Sequence, residues 1–254
     1  MTTQTPAISK AFYAIIAGVG GGTGRAVALR FARTYPVAVL ARTEASYAGI
    51  VDEVVRRGGE AVGVSADVAD EKSLASALEV VREKFKGKGL AVGVYNVGAG
   101  LSIKPFLETT VEDLDQSLAS NVRGLYNFAH STLPSLLDSV SANPPYPPTL
   151  LVTGATASLR GAARFGTFAA GKFAVRALSQ SLAREFGPQG VHVAHVVVDG
   201  VIEGPRTKGY TVNEGVEDGK LDPEAIAESY WHLHTQHRSA FTHELDLRPY
   251  VEKF

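Results

Sequence analysis

Residues 12–35 read Phe12-Tyr-Ala-Ile-Ile-Ala-Gly18-Val-Gly20-Gly-Gly22-Thr23-Gly24-Arg-Ala-Val-Ala-Leu-Arg-Phe-Ala-Arg-Thr-Tyr35. An apolar run, a glycine-rich turn and a helical pattern follow one another without a spare residue. Phe12–Ala17 lacks period-2 alternation, as a strand buried on both faces does. Gly18, Gly20, Gly22 and Gly24 permit positive φ and a close approach of backbone to a ligand. The predicted helix, Gly24–Tyr35, aims free N–H groups and a positive dipole at that turn, which suits a pyrophosphate. It is the strand–turn–helix context that makes a glycine cluster a dinucleotide-binding signal.

Outward from this unit the rhythm repeats. Val37–Leu40, Ala61–Val64, Leu90–Tyr95, Leu150–Thr153 and Val191–Val198 predict further buried strands. Ser46–Arg57, Glu71–Phe85, Val111–Leu137 and Phe165–Phe186 predict helices, and a late helix starts after Asp222-Pro223. Strand then helix, repeated, predicts an α/β fold, a doubly wound parallel sheet of Rossmann type in a single domain over residues 1–254. Ser141–Pro148 holds four prolines and reads as a surface connection. Residues 203–220 are polar and glycine-bearing, and are expected to form a mobile substrate loop at the sheet's C-terminal edge.

Composition narrows the function classes. Hydrophobic residues are 45% and charged residues 20% of 254, values of a globular chain. A net charge of −1 gives no general attraction to nucleic acid or to an anionic membrane. No apolar run approaches the roughly 18 residues of a membrane span. Met1–Lys10 is polar, without a basic-then-apolar leader pattern, so a cytoplasmic location is expected. The absence of cysteine removes disulfides, thiolate nucleophiles and thiolate-bound zinc. His232, His234 and His237 lack metal-ligand spacing on a helix face, so no metal is expected. His192 and His195 read as structural strand histidines.

Cofactor choice is written at the end of the second strand. There the chain has Ala41-Arg42-Thr43, with no carboxylate for a ribose 2′-hydroxyl. A guanidinium can fork onto a 2′-phosphate, so NADP(H) is favoured over NAD(H), with Arg42 and Thr43 as the reading residues.

Together the motifs resemble the short-chain dehydrogenase/reductase family over nearly the whole chain. The family's opening Thr-Gly-x-x-x-Gly-x-Gly appears as Ala17-Gly18-x-x-x-Gly22-Thr23-Gly24. Asp67-Val68 occupies the place of the adenine-contacting Asp-Val pair. Tyr95-Asn96-Val97-Gly98 keeps the second Asn and the Gly of Asn-Asn-Ala-Gly. Asn121 matches the asparagine of the catalytic set. The resemblance further implies a homodimer or homotetramer built on the two long helices, and a cofactor contact at Ile202, past the last long strand.

The active-site signature is where this chain departs. The family has Tyr-x-x-x-Lys, with both side chains on one helix face. Here Lys172 is kept and Phe168 stands for the tyrosine. Thirteen residues earlier, Ala155 stands for the family serine, and the Pro-Gly after the sixth strand is Asp199-Gly200. The family tyrosine protonates the carbonyl, the lysine holds the nicotinamide ribose and lowers the tyrosine pKa, and the serine orients the substrate. General acid catalysis contributes roughly 10²–10⁴ in rate, so another group must supply that proton or the chemistry must not need it. Lys172, Asn121, Asp199 and Thr156 are the catalytic candidates, with Ser158 and Tyr95 as further hydroxyls. An iminium substrate, already cationic at carbon, needs no simultaneous proton. The alternatives are a dinucleotide-binding protein with impaired catalysis and a non-redox cyclase or isomerase using the same cavity.

Overall fold

The computed structural model describes residues 8–98 and 101–253. Seven parallel strands form one sheet in the order β3-β2-β1-β4-β5-β6-β7. They are β1 (Phe12–Ala17), β2 (Val37–Ala41), β3 (Ala61–Ser65), β4 (Gly89–Tyr95), β5 (Thr149–Thr153), β6 (His192–Val198) and β7 (Glu244–Leu247). The helices are α1 (Thr23–Ala32), α2 (Ala48–Arg56), α3 (Glu71–Lys84), α4 (Val111–Leu118), α5 (Gly124–Val140), α6 (Gly166–Phe186) and α7 (Pro223–His234).

The sheet is covered on both faces, which is why its strands do not alternate. Along β1, Ala14 and Ile16 join one core with α1, α2 and α7. Tyr13, Ile15 and Ala17 join the other with α3, α5 and α6. Complete burial of each large apolar side chain stabilises by about 1.5–3 kcal/mol, so a register slip in β1 would disturb both cores at once.

Two elements differ from their sequence expectation. The predicted helix Val111–Leu137 is instead α4, a π-helical turn at Ala119–Arg123, and α5 running to Val140 with Pro134 inside it. The apolar period is similar on either side, so periodicity alone does not reveal the wider turn. Such π-turns recur at functional sites, and this one carries Asn121. The strand β7 had no counterpart in the expected elements. Glu-Leu-Asp-Leu is four residues at a sheet edge, and its charges mask it as a strand.

Chain order places the site. From β1 the chain winds through β2 to β3 on one side, then crosses to β4 on the other side of β1. The C-terminal ends of β1 and β4 therefore flank the switch-point crevice where open α/β sheets bind ligands. Behind it α7 packs on α1. The lone tryptophan, Trp231, lies edge-on to Phe31 at 5.4 Å, with the Arg30 guanidinium 4.2 Å above its ring.

Candidate active site

The glycine turn lines the crevice, and its glycines divide by duty. Gly18 sits at φ +88°, and a Cβ there would fall 2.5 Å from the Asn96 carbonyl oxygen. A Cβ on Gly24 would fall 2.6 Å from the Gly18 carbonyl oxygen. These two let the backbone close on itself. At Gly20 and Gly22 a Cβ would meet nothing within 4 Å. Theirs is open space at the start of α1, whose N-terminus has no side-chain cap. Thr23 is buried there, and its hydroxyl has no hydrogen-bond partner among the described residues. An open, uncapped helix start with an orphaned hydroxyl fits the pyrophosphate of a dinucleotide.

At the end of β2, Arg42 is exposed, and no carboxylate pairs with it among the described residues. Thr43 shares a hydrogen bond with Ser46, Oγ1 to Oγ, at 3.0 Å. Past β3, Asp67 accepts from the Ala69 N–H at 2.9 Å, and the buried Val68 accepts through its carbonyl from Asn127 at 3.0 Å. Gly98 is exposed, with open space where a Cβ would stand.

Lys172, on α6, is 4% exposed. Its ammonium donates to the Thr153 carbonyl at 3.2 Å and lies 5.9 Å from the Phe168 ring centroid. Burial pushes the Lys172 pKa down to about 8. Asn121 is fully buried and donates through Nδ2 to the Ser117 carbonyl at 3.0 Å. Gly171, one residue before Lys172, admits this arrangement, because a Cβ there would lie 2.6 Å from Ser117 Oγ and 3.1 Å from Asn121 Nδ2.

Thr156 and Asp199 meet: the Thr156 hydroxyl donates to Asp199 Oδ1 in a very short hydrogen bond. Asp199 is 5% exposed, and its Oδ2 lies 3.3 Å from Arg248 Nη2. Ser158 is fully buried and accepts from the Ala155 N–H at 3.1 Å. The buried Tyr95 donates to the Ser120 carbonyl at 2.5 Å, and burial raises its phenol pKa. These two hydroxyls are thus engaged in the scaffold. Ile202 is half-buried against the α1–α7 core, and its backbone bridges Leu221.

The segment 203–220 crosses the same edge. Glu203 pairs with Lys220 at 2.9 Å, and Lys220 also donates to the Thr207 carbonyl at 2.9 Å. Asn213 Nδ2 donates to the Gly219 carbonyl at 2.8 Å and to Glu252 at 2.9 Å. Pro205 leans over the glycine turn, 3.1 Å from where a Gly21 Cβ would stand.

Sequence reasoning did not single out two residues that the fold brings to this region, Tyr230 and Glu244. Tyr230, on α7, bonds to Thr153 Oγ1 at 2.6 Å. His195, fully buried on β6, places Nδ1 3.0 Å from Glu244 Oε2, and a Cβ on Gly154 would fall 2.2 Å from its Nε2. Glu244 also takes both arms of the Arg176 fork, each at 2.7 Å. His195 is the hydrogen-bonded strand histidine that the sequence predicts. No local signal in the sequence announces Tyr230 or Glu244, because their partners lie on other elements.

Known proteins bear on this geometry. A family model described as short chain dehydrogenase matches residues 13–213. A short-chain dehydrogenase/reductase of Armillaria gallica is 30% identical over 223 residues, covering 85% of this chain and 81% of the relative. Among solved structures, a short-chain dehydrogenase from Rhodopseudomonas palustris has a TM-score of 0.78 at 30% identity, covering 95% of this chain and 100% of that one. An alcohol dehydrogenase from the archaeon Thermococcus sibiricus, complexed with 5-hydroxy-NADP, has a TM-score of 0.80 at 25% identity, covering 95% and 98%.

Proposed function

The chain belongs to the short-chain dehydrogenase family, and from that premise we propose that it is an NADP(H)-dependent oxidoreductase of small carbonyl, imine or iminium compounds in which Lys172 holds the working proton. The observation that carries this reading is the placement of Lys172. It is buried beside Phe168, with a carbonyl as its hydrogen-bond partner and a pKa of about 8. With Phe168 and Ala155 lacking hydroxyls, we assign the part of the family tyrosine to Lys172, whose ammonium lies 5.9 Å from the Phe168 ring centroid. A pKa near the working pH suits an acid that must both give and regain a proton.

The bound dinucleotide supplies or accepts a hydride. Gly20, Gly22 and Thr23 would hold its pyrophosphate, Asp67 and Val68 its adenine, and Lys172 its nicotinamide ribose, with Asn96, Gly98 and Ile202 lining the path between. Arg42 and Thr43 would read the 2′-phosphate. That Arg42 is exposed and carries no carboxylate partner among the described residues supports NADP(H). The Thermococcus sibiricus relative, complexed with 5-hydroxy-NADP, is in keeping with it.

Thr156 and Asp199 are given a different part from the donors that the sequence offered. The Thr156 proton is committed to Asp199, and the Asp199 carboxylate is held by Thr156 and Arg248. With each other and Arg248 as partners, the pair would shape the substrate end of the crevice. Asn121 positions the α6 face that bears Lys172. The segment 203–220 would open for substrate entry about its pinned ends.

The test is titration with NADPH and NADH by nicotinamide fluorescence, followed by turnover on ketone, enone and iminium panels. Arg42→Asp should erase or invert a preference for NADPH of about 10-fold or more. Binding of neither dinucleotide would overturn the reading. Tight binding with inactivity toward all panels would favour the binding-protein alternative, which the loss of both hydroxyls motivates.

A further inference from the structure

Thr153 is the junction of the crevice, and each of its polar atoms is used. Its carbonyl receives Lys172 at 3.2 Å. Its hydroxyl donates to Asn96 Oδ1 at 3.0 Å, and Asn96 Nδ2 donates to the Gly18 carbonyl at 2.9 Å. The Gly18 carbonyl can only accept, so the Asn96 amide must present its oxygen to Thr153. The Thr153 proton is therefore committed to Asn96. The remaining contact, 2.6 Å from Tyr230 Oη, must be donated by the phenol. Tyr230 is 0% exposed, and burial raises its pKa, so its proton stays in place. The result is one directed chain, from Tyr230 to Thr153 to Asn96, ending on the turn at Gly18. The family motif has a threonine at position 17, but this chain has Ala17. The hydroxyl bracing Asn96 comes from β5.

We propose that Tyr230 is a positioning residue for the dinucleotide: through Thr153 and Asn96 its hydroxyl fixes the spacing between the glycine turn and Lys172. The inference rests on the dinucleotide reading above. A ligand seated at both places gains from its own connectedness only when the two seats are held at matching separation. Removal of the phenol oxygen leaves Thr153 one partner short and frees its rotation, while the ring of Tyr230 still fills the α1–α7 core. The loss should therefore appear in ligands that span both seats and spare a ligand that occupies one.

Tyr230→Phe, Thr153→Val, Thr153→Ser and the double variant Tyr230→Phe/Thr153→Val test this by calorimetric titration with NADPH and with adenosine 2′,5′-bisphosphate, the adenine-side fragment. Tyr230→Phe should raise the Kd for NADPH about 5-fold or more and that for the fragment by less than about 2-fold. Thr153→Val should do the same, the double variant should be no weaker than Thr153→Val alone, and Thr153→Ser should bind as wild type does. Unchanged NADPH affinity in Tyr230→Phe, or equal weakening of NADPH and fragment, would overturn the inference while leaving the cofactor reading intact. A wild-type protein that binds no dinucleotide would overturn both.

Discussion

Lys172 carries a cost that can be read against pH. Its ammonium is charged in water up to about 10.5, and burial lowers that to about 8 in the fold. Below pH 8 both states hold the proton, and the full cost of burying it is present. Between 8 and 10.5 only the unfolded chain holds it, so stability rises with pH, and above 10.5 the cost is gone. The shift corresponds to about 3 kcal/mol, less about 1 kcal/mol for the hydrogen bond to Thr153. Lys172→Met should therefore stabilise the fold by about 2 kcal/mol at pH 7 in denaturant titrations, with the gain fading toward pH 10–11, while abolishing turnover. In the reducing direction the wild-type rate should fall as pH climbs through about 8, because the donor loses its proton. The turn glycines separate in the same manner. Gly18→Ala meets the Asn96 carbonyl and a φ of +88°, so it should cost about 2 kcal/mol or more in thermal melts. Gly20→Ala enters open space, and should leave the melt unchanged while weakening NADPH in fluorescence titration.

Between elements, one carboxylate ties the edge strand β7 to α6 and β6 alongside its backbone pairing to β6. Glu244 takes the Arg176 fork from α6 and faces His195 on β6. The Arg176 hydrogen bond holds the Glu244 carboxyl below its usual range. That contribution is present above about pH 4.5 and is lost as pH falls through the lower folded value. Glu244→Gln should destabilise by about 2 kcal/mol and release amide-exchange protection at residues 244–247 while β1 and β4 stay protected. This contact also marks where the sequence stopped being legible. The strands β1, β2 and β4 to β6 could be read because burial on both faces leaves an apolar run in the chain itself, and β3, half-buried at the other edge, keeps enough of one. At β7 the apolar residues alternate with charges: Glu244 is satisfied across to α6 and β6, and Asp246 by Arg248 two residues on. The glycine turn can be read from its strand–turn–helix context, whereas Asn96 and Lys172 are picked out only by the family motifs that they resemble. Tyr230, Thr153 and Glu244 work through contacts between distant segments, for which no spacing rule exists. The π-turn around Asn121 escaped because it shifts the helical phase by only about one residue between two helical runs.

At the scale of the molecule, several large apolar side chains stand exposed on α4, α5, α6 and the turn before α4. Phe106 is 75% exposed, Leu107 96%, Val111 67%, Tyr126 56% and Phe173 43%. Exposed large apolar side chains of this kind are the usual material of an interaction face where they adjoin. A second copy of the chain is the occupant that we expect there. Sedimentation velocity should show a dimer or tetramer at micromolar concentration, and Tyr126→Glu with Phe173→Glu should convert it to monomer without lowering α-helical circular dichroism. On the opposite face, Trp231 follows Tyr230 directly in sequence and packs on α1, the helix that starts at the glycine turn. Because the chain has one tryptophan, its entire indole emission originates on this seam. That emission overlaps the absorption of a reduced nicotinamide, so resonance energy transfer from a single donor can report occupancy of the crevice without any label being attached.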